Sequence, residues 1–184
     1  MRSKIILLII VLVLVVAALI YFVPSDTPDG FTKYTNEEFG FSFEYLEDWE
    51  LVEYGGDKYG RIVSLQSPEM KEGLENGTIF PGYPYDFKVS YWSDINNSEA
   101  QAGAGQDSRF DYESLEEFLN DDSTTKLVNK SGETKISGIS AYEVIVGGYG
   151  SEDAVMFESN GLYRLTYSNR AESAQLLESF KITE

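Results

Sequence analysis

The sequence contains neither histidine nor cysteine, the two side chains on which many enzymes depend. Histidine bases, cysteine nucleophiles and the nitrogen and sulfur ligands of most transition-metal sites are therefore excluded. Carboxylates, serine, tyrosine and lysine remain as the groups that could do chemistry. No side chain of the folded part titrates near neutral pH unless its surroundings shift its pKa.

Serine and lysine occur at a catalytic spacing in one stretch, Ser123-Thr124-Thr125-Lys126. It matches the Ser-x-x-Lys motif of penicillin-recognising enzymes, in which the serine begins a helix and the lysine folds back beside it. Here the stretch follows the predicted end of a helix, and the sequence has no Lys-Thr-Gly motif. We interpret it as a solvated loop.

The acidic residues do not single out a site. With 31 Asp and Glu residues, chance carboxylate pairs of the glycosidase kind are unavoidable. Asp121-Asp122 is the nearest cluster for a hard cation, but it lacks the spacing of a calcium loop. Gly147-Gly148-Tyr149-Gly150 lacks the lysine and hydroxyl residue of a phosphate-binding loop. We therefore predict that the protein is not an enzyme and has no catalytic residue, metal site or cofactor.

Aromatic rings on an irregular segment form the remaining candidate contact site. The stretch Phe80-Pro81-Gly82-Tyr83-Pro84-Tyr85 carries two prolines, which exclude it from a central strand. Exposed tyrosine rings can stack on sugars or anchor a protein partner. The alternative is that these rings pack back onto the sheet. Tyr83 and Tyr85 are our candidates for contact with a partner or a glycan.

The N-terminus contains an apolar run, Ile5–Val23, of 19 residues without a charge. As a helix it would measure ~28 Å, close to the ~30 Å hydrocarbon core of a bilayer. Arg2 and Lys4 precede it, so its N-terminal end is expected in the cytoplasm. We predict a transmembrane anchor at residues 1–23, a polar linker at 24–30 and an extracytoplasmic domain at 31–184. A cleaved signal peptide is the alternative.

The part of the chain after the apolar run is strongly acidic. Residues 24–184 carry 12 basic and 31 acidic side chains, a net charge of −19. Such a domain repels nucleic acid and anionic headgroups, so no nucleic-acid partner is expected and membrane contact is expected only through the anchor. The charge serves solubility, or it attracts a basic partner or a cation-rich wall polymer.

A period of two in the apolar residues predicts strands. Aromatic residues occupy every second position from Phe39 to Tyr45, as in a strand with one buried face. Asn160-Gly161 is a strong signal for a type I′ hairpin. Further strands are predicted at Trp49–Tyr54, Arg61–Gln66, Asp86–Trp92, Glu133–Ile136, Ser140–Val146, Asp153–Glu158 and Leu162–Ser168.

Two helices are predicted. Ser114 and Glu117 have the spacing of a capping box at the start of an apolar run. Arg170–Phe180 carries apolar residues at helical spacing. By contrast, Ser67–Gly77 indicates a loop or one helical turn, and Thr35–Glu38 one turn at most.

The two ends of the domain resemble PsbP-like domains. The resemblance rests on the stretch Tyr34–Tyr45 with Trp49 after it, and on the closing stretch Leu177–Ile182. Leu46 stands where the family usually has a proline. The resemblance implies an antiparallel sheet with helices on both faces, an α/β/α sandwich, and it implies no reaction. The metal-binding histidines of relatives have no counterpart here, so no site residue is carried over.

Many small anchored or secreted prokaryotic proteins look similar, and photosynthetic relatives assist a membrane complex. We therefore expect a non-enzymatic, membrane-anchored binding or accessory domain outside the cytoplasm that acts on other proteins. The alternative is a carbohydrate-binding module of the cell wall, or an enzyme that acts on glycans through carboxylates.

Overall fold

A computed structural model describes residues 27–56, 60–79, 85–96, 112–121, 128–147, 151–168 and 171–183. The chain divides into two compact units, Met1–Gly30 and Phe31–Glu184. The predicted anchor at 1–23 and Tyr83 lie outside the described residues. Within the described ranges, none of the helices has the length and apolar character needed to cross a bilayer.

Strands dominate the described part of the larger unit. The strands are β1 Phe31–Asn36, β2 Phe41–Leu46, β3 Glu50–Glu53, β4 Arg61–Gln66, β5 Phe87–Trp92, β6 Val128–Ile136, β7 Ile139–Val146, β8 Glu152–Glu158, β9 Leu162–Tyr167 and β10 Lys181–Ile182. The helices are α1 Pro68–Glu75, α2 Leu115–Asn120 and α3 Ala171–Ser179.

The strands form two antiparallel sheets rather than the one we expected. A small sheet has the order β1-β2-β10, and a large sheet has the order β3-β4-β5-β9-β8-β7-β6. β1 was missed, because Thr35–Glu38 suggested a turn of helix. The strand instead continues to Asn36, whose side-chain Oδ1 accepts a hydrogen bond from the Phe39 amide at 3.0 Å and closes the turn into β2.

An aromatic cluster fills the first face of the large sheet. Strand alternation sends Val155 and Phe157 of β8 to this face and Ala154 and Met156 to the other. The small sheet and α3 pack against it. The cluster includes Phe41, Phe43, Val63, Leu65, Phe87, Val89, Val155, Phe157, Tyr163, Leu165, Leu176 and Phe180.

A second apolar cluster lies on the opposite face, at the end where α2 packs. It includes Trp92, Leu115, Phe118, Leu119, Val128, Val144, Val146, Ala154, Met156 and Leu162. α2 begins as the sequence predicts, since the Ser114 hydroxyl accepts a hydrogen bond from the Glu117 amide at 3.2 Å. Helical side chains thus belong to each of the two clusters.

Local turn chemistry explains where the elements depart from the sequence prediction. Ser67 caps an eight-residue helix, α1, where we expected a loop or one turn. The type I′ hairpin lies at Ser137 and Gly138, whose φ angles are 54° and 81°. Residues 159–161 connect β8 to β9 in the predicted hairpin, but Asn160 and Gly161 are not in the left-handed region, so its turn is not type I′.

β6 begins at Val128, five positions before the predicted start at Glu133. A bulge between Lys130 and Gly132 shifts its register with β7. Residues 129–135 are all polar or glycine, so the strand has no alternating apolar pattern to detect between Val128 and Ile136.

Candidate functional site

The second face of the large sheet is apolar beside α2 and polar at a distance from it. On the central strands β5 and β9, polar and cationic side chains replace the apolar ones. We call this region the polar face and define it by Arg61, Ser64, Lys88, Ser90, Arg164 and Thr166. Lys88 and Ser90 lie on it because Val89, the residue between them, points into the aromatic cluster.

Strand register places these side chains next to one another. Ser90 lies directly opposite Arg61 on β4 and directly opposite Arg164 on β9. Lys88 lies opposite Ser64 and Thr166 in the same way. Directly opposite residues have Cβ atoms about 4.5–5.5 Å apart. Three cations are therefore gathered on one small area of a chain whose net charge is −17.

Each of the three cations lies over an aromatic ring. The distances to the ring centroid are 4.5 Å for the Arg61 Cζ over Tyr54, 4.0 Å for the Lys88 Nζ over Tyr85 and 5.0 Å for the Arg164 Cζ over Trp92. The ring face is electron-rich, so it attracts a cation and restricts where the charged group can lie.

Lys88, Tyr85 and Glu152 form a chain of hydrogen bonds. The Lys88 ammonium donates to the Tyr85 hydroxyl at 2.5 Å, which donates to Glu152 Oε1 at 2.6 Å. Lys88 is only 9% exposed. Burial, together with the charges of Arg164 and Arg61, lowers the pKa of Lys88 to about 8, against the opposing effect of Glu152. Burial also lowers the pKa of Arg164.

Four buried polar atoms of this region have no hydrogen-bond partner among the described residues. They are Ser90 Oγ, Trp92 Nε1, Arg164 Nε and Thr166 Oγ1. The side chains of Ser90, Trp92 and Thr166 are 0%, 4% and 1% exposed. Because the indole and guanidinium nitrogens can only donate, the region offers donors to an acceptor that the described residues do not supply.

Of the two tyrosines singled out in the sequence, the structure describes Tyr85. Tyr85 is partly buried, and the Lys88 ammonium lies over its ring. Its hydroxyl donates a hydrogen bond to Glu152. Tyr85 is thus brought together with the cations of the polar face. Its role as a contact for a partner or glycan stays a prediction, as does that of Tyr83.

Sequence reasoning missed Lys88, Ser90, Arg164 and Thr166. The signal was present in β5, where polar residues alternate with Phe87 and Val89. Such an alternation is typical of a half-buried strand whose polar side faces water. It is instead buried, as the low exposure of Lys88 and Ser90 shows.

The described residues hold no cluster of three or more acidic side chains that could bind a metal ion. Asp121 accepts a hydrogen bond from the Tyr112 hydroxyl at 2.8 Å. The serine–lysine stretch at 123–126 lies outside the described residues. The polar face is therefore the candidate site of the described part of the chain.

No protein family model matches the chain, and no curated protein matches it. The structure is similar to the solution structure of cyanobacterial PsbP (CyanoP) from Synechocystis sp. PCC 6803. The sequence identity is 13%, the match covers 86% of this chain and 95% of that chain, and the TM-score is 0.43. That protein carries the name of the family that the two ends of the domain resemble. No site residue is transferred from it, so function is argued from the side chains alone.

Proposed function

We propose that this protein is a non-enzymatic binding protein that assists other proteins at the outer face of the cytoplasmic membrane. Residues 1–23 serve as a single-pass anchor, and the domain at 31–184 lies outside the cytoplasm. In this proposal the domain is an α/β/α sandwich of the PsbP-like type. The contributions of α2 and α3 to clusters on opposite faces of the large sheet support that arrangement.

The observation that carries the binding role is the composition of the polar face. Its three cations lie over aromatic rings, and buried donors lie beside them. Ser90 Oγ and Thr166 Oγ1 lack a hydrogen-bond partner among the described residues. Cations restricted by aromatic rings and buried donors without a partner are suited to holding a ligand.

The N-terminal sequence supports the proposed location of the domain outside the cytoplasm. Nineteen residues without a charge, preceded by Arg2 and Lys4, are typical of an anchor whose N-terminal end stays in the cytoplasm. The acidic domain repels anionic lipid headgroups, so the anchor is its link to the bilayer.

The full-length protein should test this role directly. We expect it in the membrane fraction, with its domain degraded by protease added outside the cytoplasmic membrane. Affinity purification from solubilised membranes should recover a specific protein partner. The partner should be retained by Lys181→Gln, which removes an exposed charge, and lost with Arg164→Gln, which removes one from the polar face.

Full-length protein free in the cytosol would contradict the proposed location outside the cytoplasm. Recovery of the same proteins with wild type and Arg164→Gln would contradict the binding site. Binding to a wall glycan that is lost when Tyr83 and Tyr85 become alanine would favour a carbohydrate-binding module instead.

A further inference from the structure

We propose that the polar face binds an oxyanion, a carboxylate or phosphate group of a small solute, between Arg164 and the donors beside it. This proposal rests on the proposed function, because it names the ligand class of the same binding site. Ser90, Trp92 and Thr166 supply the neighbouring donors.

Charge is the first reason to expect an anion. Arg61, Lys88 and Arg164 lie together, and Glu152 is the carboxylate that acts on both Lys88 and Arg164. That carboxylate already accepts the hydrogen bond of Tyr85. A buried charge is unfavourable unless an opposite charge accompanies it. An anion bound here would offset the excess of positive charge.

Hydrogen-bond direction is the second reason. Trp92 Nε1 and Arg164 Nε donate and cannot accept, and the hydroxyls of Ser90 and Thr166 are able to donate. All four atoms are buried and without a partner among the described residues. A carboxylate or phosphate group presents several acceptor oxygens at once, and the planar guanidinium fork suits both groups.

The position of these donors in the sheet is the third reason. Ser90 and Arg164 face each other across β5 and β9, and Lys88 faces Thr166 one pair further along. Both strands lie inside the large sheet, with β4 and β8 as their outer neighbours. The Arg164 guanidinium is held 5.0 Å from the Trp92 ring centroid. Donors on paired central strands are fixed before a ligand arrives, which reduces the entropy lost on binding.

Calorimetric titration of the full chain in detergent tests this site. Inorganic phosphate and succinate are titrated separately, with chloride at matched ionic strength as the reference. We expect Arg164→Gln to weaken binding at least tenfold and Thr166→Val severalfold. Lys181→Gln has the same change of charge as Arg164→Gln and should leave binding unchanged. In protein labelled with 5-fluorotryptophan, the ¹⁹F signal of Trp92 should shift on binding while that of Trp49 does not.

Binding of phosphate alone, of succinate alone or of both would support the site and would identify the group that it prefers. Binding of neither anion would overturn it. So would equal affinity in wild type, Arg164→Gln and Thr166→Val, since binding would then be independent of the polar face. Thr166→Val preserves the side-chain shape, so it serves if Arg164→Gln does not fold.

The two proposals can fail separately. A protein partner recovered from membranes together with absent anion binding would overturn the oxyanion site and leave the accessory role in place. Anion binding without any recovered partner would support the site and contradict the accessory role.

Discussion

The two faces of the large sheet differ in whether their buried polar atoms have hydrogen-bond partners. On the first face, aromatic side chains fill the space and their polar atoms are satisfied. The Tyr163 hydroxyl lies 2.5 Å from the Phe39 carbonyl oxygen and 2.6 Å from Asn160 Oδ1. On the second face, the polar half buries Lys88 and leaves donors such as Arg164 Nε without a partner among the described residues.

This difference suggests that the first face mainly stabilises the fold and that the polar half of the second face is suited to binding. Burial of apolar surface stabilises the fold through the first face. Unsatisfied buried donors destabilise it by about 1–3 kcal/mol each on the second face. A cost of this kind is common where a site is prepared for a ligand. Substitutions on the two faces should therefore change stability in opposite directions.

The largest effect is expected from Phe41→Ala on the first face. Phe41 is 0% exposed, and its ring stacks on Phe180 with centroids 5.4 Å apart. Removing a buried phenyl ring leaves a cavity and should lower the free energy of unfolding by about 3–5 kcal/mol. Urea unfolding followed by tryptophan fluorescence measures it. Phe41→Leu, which fills most of the space, is the control, and a loss below about 1 kcal/mol for Phe41→Ala would contradict the importance of this cluster.

An intermediate effect is expected from the titration of Lys88 on the second face. Its pKa is about 8 in the folded protein and 10.5 ordinarily. Between these pH values the folded state has released a proton that the unfolded state still binds, so stability rises with pH. The gain is absent below pH 8, complete above pH 10.5 and about 2 kcal/mol between pH 7 and pH 9.5.

Comparison with Lys88→Met isolates this contribution. Tyr34 and Tyr163 have pKa values raised to about 12, so they reduce stability above pH 10 in both proteins and cancel in the difference. The variant should be relatively more stable at pH 7 than at pH 9.5. A difference in unfolding free energy that stays constant over this range would show that Lys88 keeps an ordinary pKa.

The smallest effect is expected from Thr166→Val. The Thr166 side chain is 1% exposed, and its hydroxyl has no partner among the described residues. Replacing that hydroxyl by a methyl group removes an unsatisfied polar atom and should stabilise the free protein by about 1 kcal/mol. Urea unfolding measures it, with Ser42→Ala in the small sheet as a control. A loss of stability would mean that the Thr166 hydroxyl has a hydrogen-bond partner in the fold. It would contradict the proposed difference between the two faces.

Much of the fold follows from local sequence signals. The period of two around Phe41 and Phe43 predicted β2 and its buried side. The spacing of Ser114 and Glu117 predicted the start of α2. β1 was missed because Thr35 and Asn36 have no apolar alternation, and the start of β6 because residues 129–135 are polar or glycine. These features depend on pairing with distant strands, which a local pattern does not record.

The candidate site could not be predicted from the local sequence pattern for a related reason. The alternation of Lys88 and Ser90 with apolar residues is typical of a half-buried strand whose polar side faces water. Their neighbours Arg61 and Arg164 come from β4 and β9, which lie far from β5 in the sequence. Nothing in the local pattern says that β5 is central or that its polar side is covered. Only the strand order brings the three cations together.

The link between β2 and the segment around α3 has a consequence for how the protein is made. The Glu44 amide donates to the Ser179 hydroxyl at 2.9 Å across 135 residues of chain. At ~5–20 residues per second, ribosomes need roughly 7–27 s to synthesise that interval. During this time the rings of β2 have no Phe180 to pack against. The nascent domain is therefore expected to require chaperone protection until its α3 segment has emerged.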